Sequence, residues 1–169
     1  IADIGIIGLP NAGKSSLLAA ITNANPKIAN YQFTTLNPNL GVANYDDKEV
    51  TIADIPGLIE GAHKGTGLGI QFLKHIERCK SILHMIDITN DDIKKSYNQV
   101  KTELKKYSTK LSKKKELVVL NKIDLINKEK EKDIVNDFSK ITKSEVITMS
   151  TLEKKTISKI KAKLISYAS

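Results

Sequence analysis

At 169 residues, with 40% hydrophobic and 27% charged side chains, the chain is the size of one domain and carries enough apolar material for a full core, which excludes a disordered polymer. No apolar run approaches the roughly 20 residues of a membrane helix, and the lone cysteine, Cys79, excludes an internal disulfide. With no charged-then-apolar leader in the sequence, we expect a cytoplasmic protein without a membrane partner, monomeric as an isolated domain.

The net charge of +8 is unevenly held: residues 1–92 carry 7 basic and 10 acidic side chains, and residues 93–169 carry 20 and 9. Six lysines fall between Lys105 and Lys115. Two readings stay open, a basic face for nucleic acid or an acidic partner, and a solvated surface in a lysine-rich chain. Only Tyr107 interleaves with these lysines, so stacking on bases is not indicated.

Apolar runs alternate with helical patterns along the chain. This predicts a three-layer α/β fold with a six-stranded, mainly parallel sheet, one antiparallel edge strand and helices on both faces. Strand 2–8 and helix 14–22 come first, then a long irregular stretch, 23–38, of the kind that is functional or mobile in compact domains. Two short strands, 39–45 and 49–54, flank Asp46-Asp47-Lys48, which reads as a hairpin turn. Five glycines among residues 57–69 predict a flexible loop, and Leu68, Phe72, Leu73 and Ile76 predict a helix over 68–79. Ile82 to Ile86 mark a buried strand, with His84 as a core residue. Asp91 or Asp92 is placed to cap a helix whose Ile93, Tyr97, Val100 and Leu104 share one face. A strand at 117–120, a helix near 128–140, a strand near 145–149 and a helix near 153–167 complete the chain.

Gly8-Leu9-Pro10-Asn11-Ala12-Gly13-Lys14-Ser15 lies between the first strand and the first helix, which is the context a phosphate-binding G-x-x-x-x-G-K-S/T loop requires. Glycines at 8 and 13 permit backbone approach to phosphate. Pro10 shapes the turn, and successive N–H groups from Asn11 and Ala12 through Ser16 form an anion nest at a helix N-terminus. Lys14 reaches the β- and γ-phosphates, and the Ser15 hydroxyl is a Mg²⁺ ligand. Asp54-x-x-Gly57 follows a strand 40 residues after Lys14. A carboxylate there holds metal-bound water and the Gly57 N–H approaches a γ-phosphate. Phe33, Thr34 and Thr35 sit in the long loop, where a threonine closes over Mg²⁺ and γ-phosphate. Both loops are natural order–disorder elements.

Asn121-Lys122-Ile123-Asp124 follows the 117–120 strand. The Asp124 carboxylate matches the N1–H and 2-amino donors of guanine, both missing from adenine. The Lys122 stem packs along the purine, and Asn121 ties this loop to the phosphate loop. The expected ligands are therefore GTP and GDP with Mg²⁺.

The order of these motifs resembles the translation-factor class of Ras-like GTPases. The stretches from Tyr31 to Gly41 and from Asp54 to Gly69, continued by Phe72-Leu73-Lys74-His75-Ile76-Glu77-Arg78, resemble the Obg family more narrowly. The resemblance implies that Thr35 ligates Mg²⁺, that Asp54 and Gly57 open the second switch, and that Ser150-Thr151 is the loop contacting guanine, with threonine in place of the family's alanine. It also implies a molecular switch acting in large ribosomal subunit assembly, with the ribosomal subunit or its rRNA as partner. The chain is then a G domain (1–169) excised from a longer protein with a glycine-rich N-terminal domain and a C-terminal region. Where Ras-type proteins carry a water-orienting glutamine this chain has Leu58, which implies slow hydrolysis. That leaves open a guanine-nucleotide or alarmone sensor with little turnover. By the same resemblance Asn11 helps hold a K⁺ beside the phosphates, in the place of an arginine finger. With Lys14, Thr35 and Gly57 it makes up the expected catalytic set.

Overall fold

The computed structural model describes residues 2–22, 26–28, 38–54, 74 and 76–169. The first half of the chain runs β1 (Ile4–Ile7), α1 (Lys14–Ile21), β2 (Lys27–Ile28), β3 (Asn39–Tyr45), β4 (Lys48–Asp54) and β5 (Ser81–Asp87). The second runs α2 (Ile93–Tyr107), α3 (Thr109–Ser112), β6 (Lys115–Asn121), α4 (Lys128–Ser139), β7 (Glu145–Met149) and α5 (Lys154–Tyr167). Short 3-10 turns over Pro10–Ala12 and Ile123–Leu125 follow β1 and β6.

The described strands form a single sheet in the order β2-β3-β4-β1-β5-β6-β7. β3 is antiparallel to both its neighbours, and every other pairing is parallel. The three-layer expectation stands, but the strand count is corrected from six to seven, and β3 is no longer the edge. Two exposed residues of β2 pair outside it, Lys27 opposite Leu40 and Ile28 opposite Asn39. Two residues are too few to show an alternating pattern. Between β3 and β4 the hairpin is as tight as expected: Asp46 and Asp47 both take left-handed backbone (φ 52° and 61°), the twist that suits a two-residue connection.

Side chains alternate across the sheet. Ile4, Ile6, Leu83, Met85, Leu117 and Val119 point to one face, covered by Leu17, Leu18 and Ile21 of α1 and Ile160 and Leu164 of α5. Ile86, Val118 and Leu120 point to the other, under Tyr97 of α2 and Phe138 of α4. Asp92 caps α2, accepting from the Lys95 N–H, and Asn127 caps α4. The expected helix over 68–79 lies almost wholly outside the described residues, and its end passes into a turn at Glu77 and Arg78.

His84 is a core residue, fully buried, stacked on Tyr97 and hydrogen-bonded through Nδ1 to Glu116 Oε2 at 3.1 Å. Burial holds its pKa below the ordinary imidazole value, so it is neutral and donates from Nδ1. Burial alone would raise the Glu116 acid. The bonds from His84 and Ser144 and the nearby Lys101 ammonium outweigh it and bring the value to about 2.

What matters for function is polarity of direction. β1, β4, β5, β6 and β7 all end at the same sheet edge, so the segments leaving them converge there, as ligand sites of open α/β sheets do.

Candidate nucleotide-binding site

The loop leaving β1 is shaped by its two glycines. Gly8 has φ 155°, and a Cβ there would sit 2.6 Å from the Met85 carbonyl oxygen. Gly13 has φ 98°, and a Cβ would overlap the Asn121 carboxamide nitrogen. Ala12 is buried, whereas Pro10, Asn11, Ser15 and Ser16 are exposed on the rim. The Lys14 ammonium curls back on its own loop, donating to the carbonyls of Gly8 (2.8 Å) and Leu9 (3.3 Å).

The base-side elements are tied to this loop. Asn121, 3% exposed at the end of β6, donates from Nδ2 to the Ala12 carbonyl at 3.0 Å. Lys122 takes left-handed backbone (φ 70°), a conformation rare outside glycine, and this directs its ammonium onto the Asn11 carbonyl (2.8 Å) and Asp87 Oδ2 (2.9 Å). Asp124 is exposed, and its Oδ1 accepts from Ser150 Oγ at 2.7 Å. Ser150 is itself fully buried, with its N–H bonded to Thr156 Oγ1 at 3.1 Å. Ser150 therefore holds Asp124 by its hydroxyl, while Thr151 next to it is exposed. The structure thus ties Asn121 to Ala12, Lys122 to Asn11, and Ser150 to Asp124.

On the other side of the loop, Ser15 Oγ donates to Asp54 Oδ2 at 3.3 Å. Asp54 is 2% exposed, and its Oδ1 is buried with no hydrogen-bond partner among the described residues. Burial raises the Asp54 pKa, against the lowering effects of the Lys14 charge and the Ser15 hydroxyl. A buried carboxylate oxygen without a donor beside a serine hydroxyl is the donor set a hard divalent cation takes, so the residues present fit Mg²⁺. Phe33, Thr34, Thr35 and Gly57, along with Leu58, lie outside the described residues. No group of three or more His, Cys, Asp or Glu suited to a metal occurs among the described residues.

Asp87 was not visible as a site residue in the sequence. Burial raises its acid, but the bonds from Thr89 and Lys122 prevail and hold it below the ordinary carboxylate range. Its charge fixes the Lys122 head. The signal available was a carboxylate closing a buried strand at the edge that also carries the phosphate loop.

A family model described as "50S ribosome-binding GTPase" matches residues 3–122. The chain belongs to this family of P-loop GTPases, as a G domain of the Obg kind. It is 69% identical over its whole length to "GTPase Obg" of Pelagibacter ubique, covering 52% of that protein. It is 51% identical over 160 residues to "GTPase Obg" of Rickettsia felis, covering 48% of it. The chain thus spans about half the length of the curated relatives it matches. In fold it is similar to the G domain of the T. maritima FeoB iron transporter, with TM-score 0.70, 21% identity and 98% of each chain covered. It is also similar to the cytosolic domain of the same transporter in a GDP form, with TM-score 0.70, 20% identity, 100% of this chain and 64% of that one. No helix among the described residues is long and apolar enough to cross a membrane.

Proposed function

We propose that this domain is a Mg²⁺-dependent guanine-nucleotide switch that binds GTP and GDP and hydrolyses GTP slowly. The observation that carries the reading is the Asp124 carboxylate, steadied at 2.7 Å by Ser150 on the same edge as the phosphate loop. An ionised carboxylate only accepts hydrogen bonds, and guanine offers two donors in line with it where adenine offers none. Gly8 to Ser16 supply the phosphate nest. The Lys14 ammonium exchanges its carbonyl partners for phosphate oxygens.

Ser15 and Asp54 are the residues that would hold Mg²⁺, joined by Thr35, and the ion supplies charge neutralisation at the phosphate oxygens. Thr34, Thr35 and Gly57 close over the γ-phosphate, with Phe33 against the nucleotide. No glutamine follows Gly57, and Leu58 has no polar atom to orient water, so turnover is slow. Leu58 also supports the second reading, a guanine-nucleotide sensor with little hydrolysis. Asn11 supports use of K⁺: its side chain is exposed at the loop rim and makes no hydrogen bond among the described residues.

The family's character as ribosome-binding GTPases supports the large ribosomal subunit or its rRNA as the partner. On this reading the domain is one part of a longer cytoplasmic protein with a glycine-rich N-terminal domain and a C-terminal region, and it is monomeric by itself. The test is phosphate release under saturating GTP in K⁺ and in Na⁺ at equal ionic strength. Slow release that is faster in K⁺, with the difference gone in Asn11→Ala, supports the proposal. Equal rates in the two salts remove K⁺. GTP binding with no phosphate release selects the sensor.

A further inference from the structure

Every parallel crossover returns the chain to the edge where the strands begin, and the lysines of the second half collect there. α2 ends with Lys105 and Lys106 in its last turn. α3 carries Lys110, and Lys113 and Lys114 lead into β6, whose first residue, Lys115, pairs with Ser81 at the start of β5. Burial and then the nearby Glu77 raise the pKa of the Tyr107 hydroxyl, and three other carboxylates near this edge are engaged. Glu116 is buried under His84 and Lys101, Glu145 is held by Lys163 and Tyr167, and Glu103 lies 3.8 Å from Lys106. Lys105, Lys110 and Lys113 are exposed and make no salt bridge among the described residues. The described nucleotide elements lie at the opposite edge.

The chemistry of the patch narrows its partner. Its cations are lysines apart from Arg78, the one arginine in the chain, which lies three residues before β5 begins at this edge. Lysine ammonium groups are point charges without the planar fork that captures one carboxylate or phosphate in bidentate fashion, so they suit charge spread along a backbone. Among the described residues the patch has no open aromatic platform. The Tyr107 hydroxyl is buried, and the Tyr167 ring lies under the Lys115 ammonium at 4.2 Å. Unpaired bases therefore find nothing to stack on, which favours a duplex over a single strand.

We propose that the sheet edge opposite the nucleotide site binds the phosphate backbone of double-helical RNA through Lys105, Lys106, Lys110 and Lys113. The choice of RNA rests on the ribosomal partner proposed above, while the duplex backbone follows from the charge and the aromatics. Contacts of this kind are independent of base sequence and release counterions, so they weaken steeply with salt.

The test follows fluorescence anisotropy of a mixed-sequence RNA duplex of about two helical turns against salt, with the chain loaded with GDP and Mg²⁺. One variant carries Lys105→Gln, Lys106→Gln, Lys110→Gln and Lys113→Gln. A second, matched in net charge, carries Lys128→Gln, Lys130→Gln, Lys132→Gln and Lys159→Gln. At about 0.1 M salt the first loses roughly ten-fold or more in affinity, and its log–log salt slope shrinks by about one per lysine removed. The second stays within about two-fold of wild type. Should the fourfold change perturb folding in a melting scan, Lys110→Gln with Lys113→Gln reads half the slope change. Equal losses in both variants, no loss in the first, or tighter capture of polyglutamate than of duplex overturns the proposal. A GDP titration on the same samples tests the guanine-nucleotide reading separately, since it does not involve these lysines.

Discussion

The two flanks of the phosphate loop are built differently. On the base side, Asn121 and Lys122 bond to the loop and Ser150 bonds to Asp124, with hydrogen bonds of 2.7–3.0 Å. On the metal side there is one longer bond, Ser15 to Asp54 at 3.3 Å, and a buried carboxylate oxygen with no partner among the described residues. The base side is organised before any ligand arrives. The metal side keeps an unsatisfied acceptor whose desolvation is compensated only when a cation binds. On the proposed reading, base choice is a fixed property of the fold, whereas occupancy of the metal side distinguishes its states.

Breaking the organised side should have the largest effect. Asp124→Ala removes two charge-assisted hydrogen bonds to guanine, at about 1.5–3 kcal/mol each, so GDP affinity measured by calorimetry falls by at least about a hundred-fold. Its preference for GDP over ADP should largely disappear.

The metal side should respond in the opposite sense when empty and when loaded. With Mg²⁺, Asp54→Asn weakens GTP binding by an expected ten-fold or so, and chelation with EDTA then has little further effect. Without metal, the raised Asp54 pKa means that the fold binds this proton better than the unfolded chain does. That contribution to stability is fully present below the ordinary carboxylate value of 3.8 and is lost as pH rises through the raised value. Above the ordinary carboxylate value the side chain is then a net cost, so Asp54→Asn should raise the melting temperature of the metal-free domain. It should also flatten the fall in stability above pH 4. A lower melting temperature would show that Asp54 Oδ1 has a donor after all.

Gly13→Ala probes the joint between loop and base side. Left-handed backbone with a Cβ, aimed at the Asn121 carboxamide, should cost about 2 kcal/mol and lower the melting temperature by several degrees. Smallest is Ser150→Ala, which leaves Asp124 in place without its steadying hydroxyl. About 1 kcal/mol is lost, read as a roughly five-fold weaker GDP complex with unchanged Mg²⁺ dependence.

What could be read in the sequence follows the range of the forces involved. Ile93, Tyr97, Val100 and Leu104 announce α2 because one helical face is set by local spacing, and Asp92 caps it as placed. The Gly8–Ser15 and Asn121–Asp124 motifs announce their chemistry for the same reason. β2 was not legible, since two exposed residues earn their place only by pairing with β3. Nor was α3, where a lysine tract hides a turn of helix anchored by Ser108 and Leu111. The Asp87–Lys122 pair joins two strand ends 35 residues apart, a contact no local pattern encodes.

The central claim is that Asp124, prepositioned by the fold, selects guanine. Calorimetric titration of the Mg²⁺-loaded chain with GDP, IDP and ADP tests it most directly. IDP keeps the N1–H but lacks the 2-amino group. The account predicts GDP tightest, IDP weaker by roughly 10–100-fold for one lost charge-assisted bond, and ADP weaker again by a further step of at least that size. Equal affinities for GDP and ADP, or IDP binding as tightly as GDP, would contradict it.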